Sequence, residues 1–204
     1  MQGENSPIKK SGVWLVVLAA GSSRRMGTHK LLLPLGEESM IRHILKRFIP
    51  LAEEKLLVVT NANEPNVKEE IGNLPVVILE NDHAEDGMST SLKLAIKFLI
   101  KNSAEAGIIL LADQPDVSVD IVRKLKDTFS QEHAPLIQAK YNGGPSHPVL
   151  FSHQFFEELL KIEGDQGARN ILQARKKEIF WIKVDSAIPR DLDTMDDYKQ
   201  YLCN

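Results

Sequence analysis

The stretch Val13-Trp14-Leu15-Val16-Val17-Leu18-Ala19-Ala20 runs directly into Gly21-Ser22-Ser23-Arg24-Arg25-Met26-Gly27-Thr28-His29-Lys30-Leu31-Leu32-Leu33-Pro34. Eight consecutive apolar residues, too few to cross a bilayer, read as a strand buried on both faces. The chain must then turn. Glycines allow positive φ and close approach, small residues leave amide N–H groups uncovered, and Arg25 and Lys30 add cationic donors. Together these features read as a polyphosphate cradle at the carboxyl end of a strand. The plain alternative is a surface turn with solvated cations. It accounts poorly for two glycines, two serines and three cations gathered in one turn. Lys9 and Lys10 ahead of the apolar run superficially imitate a secretion signal, but that reading leaves the cationic turn unexplained.

Working outward, apolar runs alternate with helical patterns. Val13 to Ala19, Lys55 to Thr60, Pro75 to Leu79, Gly107 to Ala112 and Pro135 to Ala139 read as strands. Met40, Ile41, Ile44, Leu45 and Phe48 fall on one face of a helix, as do Met88, Leu92, Ala95, Ile96 and Leu99, and, more weakly, Val119, Val122, Leu125 and Phe129. This alternation predicts an α/β fold with a doubly wound, mostly parallel sheet, Rossmann-like in architecture. Pro148 to Phe151, a helix through Phe155 and Leu159, Ala168 to Ala174, a strand Ile179 to Val184 and a last helix from Thr194 are expected to extend the same sheet. Residues 1–12 are polar and without apolar period, so they read as a flexible tail, with one domain over residues 13–204.

Composition narrows the function classes. The 204 residues carry a formal charge of −3, with 43% apolar and 26% charged residues. No global basic field exists to hold nucleic acid or an anionic membrane surface. The single cysteine, Cys203, supports neither an intramolecular disulfide nor a cysteine-rich zinc site, and a reducing, cytoplasmic setting fits best. No Cys–His or Ser–His–Asp arrangement suggests a protein nucleophile.

The Gly-rich turn is neither of two common nucleotide loops. Five residues separate Gly21 from Gly27 and Lys30 does not adjoin the second glycine, which excludes a P-loop; Gly-x-Gly-x-x-Gly is absent. The turn resembles the Leu-Ala-Ala-Gly-x-Ser-x-Arg-Met-Gly-x-x-Lys-x-Leu signature of the MobA-like nucleotidyltransferases, and within them the molybdenum cofactor cytidylyltransferase group. The resemblance implies that Leu18, Ala19, Ala20, Gly21, Ser23, Arg25, Gly27 and Lys30 bind the nucleotide, with Arg25 and Lys30 also catalytic. Arg24 and His29 occupy variable positions, and His29 is expected to be exposed.

Further segments extend the likeness. Asp113-Gln114-Pro115 ends an apolar strand, so Asp113 is delivered to the edge that carries the cradle. A hard cation such as Mg²⁺ takes one or two carboxylates together with substrate phosphates. Asp113 could equally cap a turn before proline. In Asp191-Leu192-Asp193-Thr194, Thr194 reads as an N-cap with Asp197 three residues on, while the resemblance makes Asp193 the second metal ligand. Asp191 has a purely structural reading in helix initiation. Asn81, Gly87 and Ser89, in a loop like the family's Asn…Gly-Met-Ser-x-Ser, are implied contacts of base or ribose. His147 and Arg169 stand in segments like the family's acceptor region, although Ser146 replaces its usual glycine. A histidine before proline also has a structural reading, and Arg169 could simply pair with Asp165.

The resemblance thus implies transfer of CMP from CTP, or of another nucleoside monophosphate, to the phosphate of a molybdopterin-type cofactor, with Mg²⁺. Pyrophosphate would leave, and a molybdenum hydroxylase such as xanthine dehydrogenase would receive the product. Ala20, where guanylyl-transferring relatives carry glycine, favours CTP. Two other readings stay open: a sugar-phosphate nucleotidyltransferase, and a non-catalytic protein that binds or inserts the molybdenum cofactor.

Overall fold

The computed structural model describes residues 12–21 and 29–203. In chain order the regular elements are β1 (Val13–Ala19), the short hairpin β2 (Pro34–Leu35) and β3 (Glu38–Ser39), α1 (Met40–Ala52), β4 (Leu56–Asn61), α2 (Pro65–Ile71), β5 (Val77–Asn81) and α3 (Met88–Lys101). There follow β6 (Ala106–Leu111), α4 (Val119–Glu132), β7 (Leu136–Tyr141), β8 (Gly144–Ser152), α5 (Phe156–Leu159), α6 (Arg169–Ala174), β9 (Phe180–Lys183) and α7 (Met195–Leu202).

Seven strands form one sheet in the order β5-β4-β1-β6-β8-β7-β9, and β8 alone runs against the others. The expected mostly parallel α/β sheet is therefore present. The direction of β8 follows from its connection: only Asn142 and Gly143 separate it from β7, and a two-residue link joins antiparallel neighbours but cannot make a parallel crossover. Every residue of β1 is buried, as its continuous apolar run requires. Alternate β1 side chains feed two cores: Leu15 and Val17 pack with α1, α4 and α7, while Trp14, Val16 and Leu18 pack with α3, α5 and α6.

Two elements went unforeseen. Helix α2 buries only Val67 and Ile71, too few apolar positions to set a period; Pro65 supplies the favoured first-turn proline. The β2–β3 hairpin is two residues per strand, below any alternation signal. Helix α1 shows the opposite case. Ser39 caps it by accepting from the Arg42 N–H, and Met40, Ile41, Ile44, Leu45 and Phe48 are buried as a stripe.

The sheet positions one edge for chemistry. The chain passes from β1 to β4 and β5 on one side and later places β6 on the other, so the crevice at the carboxyl ends of β1 and β6 is a topological switch point. The segment before α7 is anchored there: Leu192 is fully buried and its N–H donates to the Asp113 carbonyl at 3.0 Å. Thr194 then starts α7 with a reciprocal capping box to Asp197. Leu192→Ala removes packing from under this anchor, so a loss of about 2–5 kcal/mol in unfolding free energy is expected by urea denaturation. An unchanged midpoint would show that the anchor lies elsewhere.

Candidate active site

Lys30 opens a single turn of 3-10 helix (Lys30–Leu32) just beyond the cradle, and its side chain points into the switch-point crevice. Its Nζ donates to Asp113 Oδ2 at 2.8 Å and to Asp193 Oδ1 at 2.8 Å. Three segments separated by 83 and 163 residues thus meet on one ammonium. Burial alone would depress the Lys30 pKa, but the Asp113 carboxylate first, and then Asp193, hold it above its ordinary value. The ammonium stays charged at neutral pH. The Asp193 side chain is 47% exposed against 9% for Lys30, so a ligand reaches the carboxylates before it reaches the lysine.

Asp191 joins the same cluster. The Gln114 amide nitrogen donates to Asp191 Oδ1 at 2.7 Å. Burial raises the Asp191 pKa; the Gln114 hydrogen bond opposes this, and the charges of Asp113 and Asp193 add to it. Among the described residues, two carboxylates share the Lys30 ammonium and a third lies beside them.

Two chambers meet at this cluster. The smaller, of about 490 Å³, is lined by Leu18, Ala19, Ala20, Gly21 and Lys30 on the cradle side, by Gly87, Met88 and Ser91 at the start of α3, and by Asp113 and Asp193. Gly21 has no positive φ, contrary to the conformational use expected of the cradle glycines; instead a Cβ there would meet none of the described residues within 4 Å. The larger chamber, of about 700 Å³, holds Gln138, Ser146, His147, Arg169 and Trp181 and shares Leu18, Met88, Leu111, Asp113, Asp165 and Asp193 with the first. Both volumes suit small-molecule ligands. A more open groove of about 1030 Å³ runs between the β2–β3 hairpin and α2, but no residue from the carboxyl ends of β1 or β6 lines it.

The expected residues distribute as follows. Ser23, Arg25 and Gly27 lie outside the described residues. Leu18, Ala19, Ala20, Gly21, Lys30, Gly87, Asp113 and Asp193 line the smaller chamber, and His147 and Arg169 the larger. Asn81 and Ser89 line neither. Asn81 is buried and committed internally: its Nδ2 donates to Thr90 Oγ1 at 2.8 Å and Ser91 Oγ at 2.9 Å, and its Oδ1 accepts from the His83 N–H at 3.0 Å. It ties β5 to α3, which shapes the chamber from behind. Two expectations need correction. His29 is not exposed but part-buried, its Nε2 paired with Glu64. Arg169 makes no ion pair with Asp165 among the described residues.

Asp165 has another partner, invisible in sequence. Its Oδ1 accepts from the Met88 N–H at 3.3 Å, capping α3 from 77 residues away. Gly87 permits this approach: its φ is +107°, and a Cβ would stand 2.6 Å from Asp165 Oδ1 and 2.8 Å from the Gly164 carbonyl carbon. The Gly164–Gln166 turn therefore closes over the boundary of the two chambers. His147 stands in the larger one, with burial pushing its pKa down to about 4 against the opposing Asp113 charge. Its carbonyl accepts from the Tyr141 hydroxyl at 2.9 Å, and burial pushes that phenol up to about 12.

Comparison with known proteins agrees with this geometry. Residues 15–179 match the model of the MobA-like NTP transferase domain. The purine catabolism protein PucB of Bacillus subtilis (strain 168) is 30% identical over 197 residues, covering 90% of this chain and 92% of that protein. The molybdenum cofactor cytidylyltransferase of Escherichia coli (strain K12) is 25% identical, covering 92% of this chain and 94% of its own length. Among solved structures, Rv0371c of Mycobacterium tuberculosis H37Rv superposes with a TM-score of 0.82 at 26% identity, over 94% of this chain and 98% of that one, and has also been solved in complex with manganese. With its sheet, its switch-point crevice and a family match across most of its length, the chain belongs to the MobA-like NTP transferases and is a nucleotidyltransferase by family.

Proposed function

We propose that the protein transfers CMP from CTP to the terminal phosphate of molybdopterin-type cofactor and releases pyrophosphate. The observation that carries this reading is the meeting of Lys30, Asp113 and Asp193 where the two chambers join. The smaller chamber suits the nucleotide and the larger the acceptor. The likeness to the cytidylyltransferase of Escherichia coli supports the choice of acceptor.

A divalent cation fits the residues present. Asp113 and Asp193 both approach one ammonium at 2.8 Å, so their oxygens already converge on a single cationic point, and oxygen is the donor that Mg²⁺ prefers. No group of three or more metal-ligating side chains occurs among the described residues, which favours a metal completed by substrate phosphates over one caged by protein alone. The solved manganese complex of Rv0371c supports a divalent ion here. Bound by Asp113 and Asp193, Mg²⁺ would supply charge neutralisation and in-line alignment at the α-phosphate.

The chain's own residues do the rest. A triphosphate approaching Asp113 and Asp193 meets repulsion, which Lys30 reduces from the protein side by bridging the two carboxylates. Gly21 leaves room for close approach along the strand end. An oxygen of the acceptor phosphate forms the new bond to the α-phosphorus as the bond to the pyrophosphate oxygen breaks. No protein nucleophile is required, and positioning supplies the advantage. His147, uncharged at neutral pH, contributes a hydrogen bond to the acceptor and not an ion pair; Arg169 supplies the positive charge on that side. Ala20 is buried with its methyl group lining the smaller chamber, which narrows it against a purine. A cytoplasmic setting, with a molybdenum hydroxylase such as xanthine dehydrogenase receiving the product, completes the reading; no described helix is long and apolar enough to cross a membrane.

Purified protein incubated with Mg²⁺, molybdenum cofactor and each nucleoside triphosphate should give the cytidylylated product preferentially, as read by mass analysis. Equal yields from CTP, GTP and ATP would refute the preference, and transfer to hexose phosphates instead would move the protein to sugar activation. Asp113→Asn should lower kcat about a hundredfold or more with an unchanged circular-dichroism spectrum; retained turnover would remove Asp113 from the mechanism. Stability should also register His147. Its folded pKa of about 4 lies below the ordinary 6.5, so the unfolded chain takes up the proton first, and the contribution present above pH 6.5 is lost as the pH falls towards 4. Unfolding free energies from urea titrations across that window should fall by about 1–3 kcal/mol less in His147→Asn than in the parent.

A further inference from the structure

One row of side chains crosses the sheet face beneath the larger chamber. Strand register sets Ile109 of β6 beside Val149 of β8, Val149 beside Gln138 of β7, and Gln138 beside Trp181 of β9. Paired neighbours point to the same face, so the four form a continuous strip, and all four line the chamber. The strip begins near the carboxylates and ends at an indole on the sheet's edge strand. The phosphate chemistry of Asp113 and Asp193 makes no use of its far end.

Gln138 is the polar member of this strip and is 7% exposed. Its amide nitrogen donates to the Ser146 carbonyl at 3.4 Å, while its Oε1 accepts from none of the described residues. That oxygen is not closed off from solvent, so within the chamber it can accept an N–H brought by a ligand. Beside it, Trp181 is half-buried with the Lys140 ammonium 5.8 Å from its ring centroid. The opposite wall carries Leu172 and Gln173 of α6. An apolar floor, an aromatic end wall and an unengaged carbonyl acceptor together suit a flat ring that stacks on the indole and donates N–H groups at its edge.

We infer that Trp181 and Gln138 form the specificity platform for the acceptor, holding a flat, amino-substituted nitrogen heterocycle against the indole with an N–H of the ring donating to Gln138 Oε1. This assignment rests on the larger chamber being the acceptor's side of the site.

Equilibrium dialysis of the full chain with hydroxymethylpterin monophosphate, set against a hexose phosphate and inorganic phosphate, tests it without any turnover. The pterin phosphate should bind saturably and outcompete both controls. Trp181→Ala should weaken its binding about tenfold or more, Trp181→Phe should restore most of the affinity, and Gln138→Leu should weaken it while leaving inorganic phosphate unaffected. The chain has two tryptophans and Trp14 is buried in the core, so a pterin-induced change in tryptophan emission should vanish in Trp181→Phe while the Trp14 signal persists. CTP binding by each variant verifies that it is folded. Equal pterin affinity in Trp181→Ala, or equal competition by the hexose phosphate, would overturn the platform. The two readings fail separately. Pterin binding through Trp181 with no CMP transfer would discard the proposed reaction and keep the platform, whereas CMP transfer with an acceptor KM indifferent to Trp181→Ala would do the reverse.

Discussion

The site depends on one ammonium shared by two carboxylates. Lys30 comes from the turn after the first strand, Asp113 from the end of β6 and Asp193 from the segment before the last helix. Each would be unfavourable alone in a crevice partly shut from water, since an unpaired buried charge forfeits hydration without recompense. Together they are mutually satisfied with an excess of negative charge. Among the described residues that excess favours a cation beside the two carboxylates.

Sheet topology explains why these groups meet. Strands β1 and β6 are parallel neighbours whose onward connections leave the crevice open between them, and Leu192 pins the third segment to the Asp113 backbone. The antiparallel β8 then carries the sheet beyond β6 and creates room for a second chamber under α6. The Gly164–Gln166 turn, held by Asp165 on the start of α3, stands where the chambers join. Two chambers and a charged divide between them are thus consequences of strand order and one long-range cap.

Much of this was legible before folding. The continuous burial of β1 followed from its unbroken apolar run, and the stripes of α1, α3 and α4 from their period. The delivery of Asp113 to the sheet edge, where it meets Lys30, followed from the apolar strand before it; residues 22–28 of the Gly-rich turn lie outside the described residues. The helix α2 and the β2–β3 hairpin were not legible, because neither buries enough side chains to leave a pattern. Asn81 illustrates a subtler point: its position in a familiar loop implied contact with a ligand, and in the structure its hydrogen bonds run inward to Thr90, Ser91 and His83. Local spacing does not say which side of a loop faces the cavity.

From the order of its residues, the chain specifies alternating strands and helices, a Gly-rich cationic turn and aspartates at strand or helix ends. Those properties are local, set by periodicity, capping and turn chemistry within a few residues of each other. Which aspartates share a lysine, that Asp165 caps a helix 77 residues upstream, and that Trp181 lies in line with Gln138 are decided only when the sheet closes. Such contacts depend on strand order and register, which bring together side chains whose separation along the chain carries no trace of their proximity.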